Sequence, residues 1–205
     1  METLKRIQLV IFIWIFSLSV YSQTTSYQAN FYKSYEYEHN SKFTLAISVL
    51  SNMYNPNDYF INIRLGWLNY LAKNYAESIR FYSKAIALKP YAIEARFGYI
   101  KPLSAIEKWD IVKQQYLEIL KIDPQNTLAN YWLGVIYYNR KSFTNAVKLF
   151  EKVVNLYPLD YDSVIMLGWT KLQLGNLPEA KLLFLHALTL RPDDSSALSG
   201  LKAIK

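Results

Sequence analysis

Apolar side chains recur at intervals of three, four and seven residues along most of the chain, which is the spacing of one face of an α-helix. Bulky pairs seven residues apart illustrate this spacing: Tyr75 and Tyr82, Trp109 and Tyr116, Phe143 and Phe150, and Leu177 and Phe184. Each pair spans two turns of one helical face. The pattern predicts an all-α chain built from amphipathic helices.

The same pattern returns every 34 residues, and prolines mark the interval. Five of the seven prolines keep it: Pro56, Pro90, Pro124, Pro158 and Pro192. Proline ends a helix because it lacks a backbone N–H and restricts the preceding residue to extended geometry. The interval predicts four helix-turn-helix repeats, over residues 59–92, 93–126, 127–160 and 161–194. Such repeats bury their apolar faces only against their neighbours, so they form an array rather than one globular core.

A small residue at the eighth place of a repeat predicts where its two helices approach closely. Glycine stands there in the first, third and fourth repeats, whereas the second repeat has Ile100. Pro102 also falls inside the first helix of that repeat, where a missing donor and a ring clash predict a bent or interrupted helix near residues 98–102. Residues 25–58 predict a degenerate repeat, and residues 195–205 predict a short amphipathic helix that caps the last repeat.

The third and fourth repeats carry the most regular pattern, in "NYWLGVIYYNRKSFTNAVKLFEKVVNLYP" and "VIMLGWTKLQLGNLPEAKLLFLHALTLRP". On these residues the chain closely resembles the tetratricopeptide repeat family, and the resemblance covers nearly all of the chain from about residue 25. The resemblance implies a right-handed superhelical α-solenoid whose concave groove is lined by the first helix of each repeat. It also implies which places face this groove: the second, fifth, ninth, twelfth and thirteenth of each repeat.

The groove places are rich in aromatic side chains and poor in charge, and an apolar surface rimmed by polar groups usually marks an interaction site. We expect eight of these residues to contact a partner: Phe60, Ile63, Trp67, Tyr70, Phe97, Tyr131, Tyr138 and Trp169. The family's carboxylate clamp uses lysine and asparagine at the fifth and ninth places, where the first repeat has Ile63 and Trp67 instead. The chain is therefore predicted to be a protein–protein interaction scaffold that binds a partner segment or helix, but not through a carboxylate clamp.

A second reading of the same aromatic groove remains open. Aromatic faces also stack on sugar rings, so the alternative function is a carbohydrate-binding module for envelope glycans. The polar contacts would come from Asn69, Glu94, Asn139 and Gln173. A flat row of ring faces would favour sugar, whereas pockets of differing depth would favour a peptide. Any single ring could instead fill a gap between repeats, since aromatic side chains are often core residues. The oligomeric state is left open.

Composition excludes several classes of chemistry. The 205 residues include no cysteine, so no disulfide, thiolate metal site or thiol nucleophile can form. The two histidines, His39 and His186, lie far apart in sequence and leave little material for a metal site or for acid–base catalysis. We therefore expect no enzymatic activity, no cofactor and no metal. The net charge is +7, but Lys101 is the only basic residue at a groove place, which argues against a nucleic-acid partner.

The N-terminal residues have the pattern of a secretory signal. Lys5 and Arg6 precede an apolar stretch over residues 9–18, and small Val20 and Ser22 suit cleavage after Ser22. The stretch is shorter than the roughly 20 residues that span a bilayer, so we predict a cleaved signal peptide, residues 1–22, followed by a repeat domain, residues 23–205. With no disulfides, the expected location is periplasmic or secreted, in a bacterial envelope. Membrane attachment is expected only if the signal remains uncleaved.

Overall fold

The computed structural model describes residues 26–204, and within this range it contains eleven helices and no β-strand. The predicted all-α class is confirmed. The helices are α1 (26–39), α2 (Phe43–Ser51), α3 (Tyr59–Leu71), α4 (Tyr75–Leu88), α5 (Ile93–Ala105), α6 (Trp109–Ile122), α7 (Thr127–Asn139), α8 (Phe143–Leu156), α9 (Tyr161–Gln173), α10 (Leu177–Leu190) and α11 (Ser195–Ala203). Each 34-residue interval from residue 59 to residue 194 holds two of them. The predicted signal peptide, residues 1–22, lies outside the described residues.

Two compact units make up the described chain, and they divide in sequence between Ile106 and Glu107. The first unit contains α1 to α5, and the second contains α6 to α11. None of the helices in residues 26–204 is both long and apolar enough to cross a membrane.

Side-chain caps recur at the last place of each interval and start the next helix. In each cap a side-chain oxygen accepts a hydrogen bond from the backbone N–H three residues later: Asp58 from Ile61, Asn126 from Ala129, Asp160 from Ser163, and Asp194 from Ala197. A cap of this kind typically stabilises a helix by about 1 kcal/mol, because it satisfies a donor that has no partner within the helix. Ala92 occupies the same place before α5 and supplies no such cap.

In the first unit, the helices approach closely around one aromatic ring. Tyr82 of α4 lies against Gly66 of α3 and Gly98 of α5. A Cβ atom added at Gly66 would lie 2.9 Å from the Tyr82 ring, and one added at Gly98 would lie 2.1 Å from it. The buried tyrosine therefore requires glycine on both flanking helices.

The predicted interruption of α5 is wrong, because this helix continues through Pro102 to Ala105. Proline removes only one backbone donor, and here it stands only three residues before the helix ends. The small residue that the second repeat lacks at its eighth place is found instead at its sixth place, where Gly98 contacts Tyr82.

The second unit repeats this packing with phenylalanine. Phe150 of α8 lies against Gly134 of α7, and Phe184 of α10 lies against Gly168 of α9 and Gly200 of α11. Both rings are fully buried. The last helix, α11, therefore packs on Phe184 as α5 packs on Tyr82 in the first unit.

Candidate binding surfaces

Five of the predicted contact residues belong to the first unit. Phe60 is the most exposed, at 61 %, whereas Ile63, Trp67, Tyr70 and Phe97 are partly buried. The structure brings Trp67 and Tyr70 together, with ring centroids 5.7 Å apart and ring planes inclined by 33°. These residues form a mixed surface in which one ring projects from α3 and the others are held by neighbours.

Polar contacts fix the orientation of Trp67. Its indole Nε1–H donates a hydrogen bond to Oε1 of Glu38 at 2.6 Å, and the Nζ atom of Lys101 lies 5.6 Å from its ring centroid. Glu38 also forms an ion pair with Arg64. The indole is therefore positioned by an acid of α1 and lies close to a cation of α5.

Arg64 is a buried cation that the sequence analysis did not single out. It is 5 % exposed, its Nε donates to Ser34 Oγ at 3.1 Å, and its guanidinium lies 3.7 Å from the ring centroid of Tyr35. Because its main ionic partner is Glu38, Arg64 helps to hold the acid that binds Trp67. The signal in the sequence is arginine at the sixth place of a helix whose neighbouring places are apolar.

Next to Phe60, the first unit contains a second cluster, which we call the Tyr59 seam: Tyr59, Phe60, Lys89 and Glu94. The Tyr59 hydroxyl donates to Glu94 Oε1 at 2.6 Å. Lys89 Nζ lies 4.5 Å from the Tyr59 ring centroid and 5.2 Å from that of Phe60. Burial raises the pKa of Tyr59 above its usual range, and the hydrogen bond to Glu94 raises it further. The chain therefore fills this seam with its own tyrosine, acid and cation.

The three predicted residues of the second unit are all partly buried. Each packs edge-on against a phenylalanine of the following helix: Tyr131 on Phe150 at 5.9 Å, Tyr138 on Phe143 at 5.3 Å and Trp169 on Phe184 at 5.1 Å between ring centroids. Trp169 Nε1–H also donates to Ser196 Oγ at 2.9 Å. Each ring therefore contributes one side to the core, and no ring contact joins any two of the three within the described residues.

A pocket opens beside Tyr131, between the beginnings of α7 and α9, and we call it the Thr127 pocket. It is lined by Thr127, Leu128, Tyr131, Trp132, Val153, Asp160, Asp162 and Ser163. Leu128 is 51 % exposed and Trp132 is 45 % exposed, so the pocket has a partly open apolar wall. The sequence analysis did not single out Trp132, although a tryptophan six places into a repeat that begins with threonine is an available signal.

The polar side of the Thr127 pocket is acidic. Asp160 Oδ1 accepts the backbone N–H of Ser163 at 2.8 Å, and Asp162 Oδ1 lies 3.8 Å from Nη2 of Arg191. Burial raises the pKa of Tyr131, and the charges of Asp162 and Asp160 raise it further. The Ser163 side chain is 1 % exposed, and its Oγ has no hydrogen-bond partner in the described part of the chain. The pocket thus combines two carboxylates, two aromatic rings and one unsatisfied hydroxyl.

The beginning of α9 carries a third cluster, which we call the Tyr161 seam: Tyr161, Arg191 and Asp194. The guanidinium carbon of Arg191 lies 3.6 Å from the Tyr161 ring centroid. Burial and a hydrogen bond with Asp194 raise the pKa of Tyr161 to about 12. As in the Tyr59 seam, a tyrosine at the first place of the repeat is covered by a cation and paired with an acid.

Within residues 26–204, no group of three histidine, aspartate or glutamate side chains is arranged to hold a metal ion.

Comparison with known proteins identifies the repeats. Residues 128–160 and residues 161–194 each match a family model described as tetratricopeptide repeat. Among curated proteins, the chain is 30 % identical over 131 residues to BBSome complex member BBS4 of Mus musculus, covering 60 % of this chain and 25 % of that protein. It is 26 % identical over 113 residues to RNA polymerase-associated protein CTR9 of Caenorhabditis elegans, covering 55 % of this chain and 10 % of that protein. The chain thus spans a quarter or less of the length of these relatives.

Solved structures resemble nearly the whole described chain. A tetratricopeptide repeat protein from Parabacteroides merdae superposes with a TM-score of 0.75 at 18 % identity, covering 88 % of this chain and 72 % of that one. MamA from Desulfovibrio magneticus gives a TM-score of 0.69 at 18 % identity, covering 83 % and 98 %. YrrB, described as a TPR protein with an unusual peptide-binding site, gives 0.69 at 15 % identity, covering 84 % and 90 %. The chain therefore contains tetratricopeptide repeats, and its fold is an α-solenoid of such repeats.

Proposed function

We propose that this protein is a non-enzymatic scaffold that binds a segment of a protein partner through aromatic side chains on the first helices of its repeats. The observation that carries the proposal is the surface of α3, where Phe60 projects into solvent and Trp67 lies oriented beside Tyr70. Aromatic rings that are held in place lose little conformational freedom on binding, so they are effective anchors for a partner. The tetratricopeptide repeats and the similarity to a peptide-binding TPR protein support this reading.

The orientation of the rings favours a peptide over a sugar as the ligand. Stacking along a glycan requires a row of ring faces with similar orientation. In the first unit the planes of Trp67 and Tyr70 are inclined by 33°, and in the second unit those of Tyr131 and Trp132 are inclined by 79°. Neither surface offers a flat row. Side chains of a protein segment, which differ in shape and direction, suit such a surface better.

The test is capture with the full chain and with matched variants. We expect a protein partner, recovered from an extract of the native organism and then purified, to bind the parent at least about tenfold more tightly than a Phe60→Ala, Tyr70→Ala variant, since losing two anchors costs more than about 1.4 kcal/mol. The control is Tyr91→Ala, which removes a ring that is 83 % exposed but lies in a turn. Retention of glycan alone would contradict the proposal. Equal binding of the partner by the Phe60→Ala, Tyr70→Ala variant and by the parent would also contradict it.

The proposal includes a location in the bacterial cell envelope. It is supported by the basic and apolar pattern of residues 1–22 in the sequence. N-terminal sequencing of the protein from fractionated cells should find a mature chain that begins at Gln23. An intact Met1 in the cytosolic fraction would overturn the location and leave the binding proposal unaffected.

A further inference from the structure

We propose that the Thr127 pocket binds the basic side chain, lysine or arginine, of the partner segment. This inference deepens the proposed function and rests on it. The pocket places the carboxylates of Asp160 and Asp162 beside the rings of Tyr131 and Trp132. Carboxylates form charge-assisted hydrogen bonds with ammonium and guanidinium groups, and aromatic faces attract the same cations.

The buried hydroxyl of Ser163 independently indicates a polar ligand. Ser163 lines the pocket, is almost completely buried and makes no side-chain hydrogen bond within the described residues. A buried polar atom without a partner destabilises the folded protein, so such atoms are rare. After a rotation of the Ser163 side chain towards the pocket, an N–H donor of a bound lysine or arginine would satisfy this oxygen while its positive charge faces the two carboxylates.

Two other repeats of the chain show which kind of side chain fits at the position of the Thr127 pocket. The residue at place 31 of the first repeat is Lys89, which covers the ring of Tyr59, and at place 31 of the fourth repeat it is Arg191, which covers the ring of Tyr161. Each of these rings stands at the first place of its repeat and is paired with an acid of the following helix or its cap. In two seams, therefore, a basic side chain of the chain itself lies against an aromatic ring beside an acid.

The third repeat lacks both of the residues that close the other two seams. Its first place is Thr127 instead of tyrosine, and its place 31 is Tyr157 instead of lysine or arginine. The acid is kept, because Asp162 stands at the place of Glu94. The Thr127 pocket is thus open because the internal tyrosine and the internal cation are missing, while the groups that attract a cation remain.

The ion pair between Arg191 and Asp162 leaves the pocket available. Arg191 approaches Asp162 only to 3.8 Å, and both side chains are more than half exposed. An exposed ion pair is weak because water screens both charges, so it does not compete strongly with a ligand that also contacts Asp160 and the rings. The chain has a net charge of +7, but the groups in direct contact with a bound side chain are acidic.

Apolar residues beside the pocket add a second requirement for the ligand. An adjoining recess shares Thr127, Val153 and Asp160 with the pocket and is also lined by Leu156, Tyr157, Pro158 and Leu159. Leu159 is 75 % exposed. Burying such apolar surface on binding stabilises a complex. We therefore expect the basic residue of the partner to stand close to an apolar one.

Single amino acids with acetylated and amidated ends are small probes that test whether the pocket requires a positive charge. N-acetylarginine amide, titrated into the full chain, should shift the NMR signals of Trp132 and Ser163. The neutral isostere N-acetylcitrulline amide should bind at least about fivefold more weakly, because it lacks the charge. Equal binding of the two probes would overturn the inference, and so would shifts confined to residues outside the pocket.

Two sets of variants separate the pocket from the surrounding fold. The double variant Asp160→Asn, Asp162→Asn keeps a capping side chain at the start of α9 and should abolish the preference for arginine over citrulline. The control Glu107→Gln removes one charge from an exposed turn and should leave that preference intact. The double variant Thr127→Tyr, Tyr157→Lys introduces the two residues that close the Tyr59 seam. It should block the arginine probe without lowering the stability of the fold.

Peptide selection separates this inference from the proposed function. Peptides selected from a random display library by the full chain should be enriched in lysine and arginine, and the Asp160→Asn, Asp162→Asn variant should lose this enrichment. Selected peptides without basic residues would overturn the inference and leave the proposed function standing. Binding of the arginine probe without any selected peptide would support the pocket and contradict the proposed function. Failure of both would overturn both.

Discussion

The Tyr59 seam of the first unit and the Thr127 pocket of the second occupy the same places of their repeats, yet only the first is filled by the chain. In the seam, Tyr59 donates to Glu94 and is covered by Lys89. In the pocket, Thr127 stands where the seam has tyrosine, and Tyr157 stands where the seam has a cation. The same backbone arrangement therefore gives a closed contact in one unit and an open, acidic recess in the other.

The difference indicates which places of a repeat are free to acquire a function. The places where helices meet, such as Gly134 against Phe150, tolerate no change of size because the interior is close-packed. The first place and place 31 lie at the beginning and end of a repeat, and they differ between repeats: the buried Tyr59 fills a seam, whereas Thr127 lines an open pocket. Specificity in this protein is therefore expected at the ends of the repeats as well as along the concave groove.

The largest predicted effect concerns the helix packing of the first unit, which also contains the seam. Gly98→Ala should destabilise the first unit by about 1–3 kcal/mol, because the added Cβ would lie 2.1 Å from the buried Tyr82 ring. Gly134→Ala should cost less in the second unit, because its Cβ would meet Phe150 at 2.8 Å. Urea unfolding followed by circular dichroism would measure both. A larger loss for Gly134→Ala would show that the first unit is the looser of the two.

A smaller effect is expected from opening the seam itself. Tyr59→Phe removes the hydroxyl that binds Glu94 and leaves the ring, so it should destabilise the protein by about 1–2 kcal/mol. Tyr91→Phe is the matched control, because its ring is exposed and its loss of a hydroxyl should change the free energy of unfolding by less than about 0.5 kcal/mol. Equal effects of the two substitutions in urea unfolding would mean that the bond to Glu94 adds nothing to stability.

The same variant should alter the response of stability to alkaline pH. The pKa of Tyr59 is higher in the folded protein than the value of about 10 expected when unfolded. Its contribution to stability is therefore complete below pH of about 10 and is lost as the pH rises towards the folded pKa. Tyr59→Phe should lose less stability than the parent between pH of about 9 and 11. Other tyrosines with a raised pKa, such as Tyr27 and Tyr161, affect the pH dependence of stability equally in both proteins.

Much of the fold could be predicted from sequence because it depends on local and periodic signals. Helical spacing, the proline interval and the glycine places predict the helices between residues 59 and 194. The second repeat shows where this fails, since Gly98 at the sixth place contacts Tyr82, and α5 continues past Pro102. Whether a particular glycine contacts a ring of another helix depends on packing, which a list of repeat places does not contain.

The candidate site was less predictable, because exposure depends on what neighbouring residues leave uncovered. The sequence identifies aromatic residues at groove places, but Tyr131 and Trp169 lie partly against buried phenylalanines while Phe60 projects into solvent. Trp132 was not predicted as a contact residue, because it stands at the sixth place of its repeat, which is not among the places that face the groove in the family. It lines the Thr127 pocket beside a threonine that stands where two other repeats have tyrosine, and this is seen only when one repeat is compared with the others.

The smallest predicted effect comes from a substitution that makes the Tyr59 seam resemble the Thr127 pocket. Lys89→Met removes the cation that lies over Tyr59 and Phe60 and keeps a side chain of similar length, so it should cost about 0.5–1 kcal/mol in urea unfolding. Lys84→Met is the control within α4, which ends one residue before Lys89, and it should have no effect. In the variant, N-acetylarginine amide should shift the NMR signals of Phe60, which it leaves unchanged in the parent. If the probe still left the NMR signals of Phe60 unchanged, an acid beside an exposed ring would be insufficient to bind a cation. Ser163 stands at the third place of its repeat, and the corresponding residue beside the seam is Ala95. The unsatisfied hydroxyl of Ser163 would then be the feature that distinguishes the pocket.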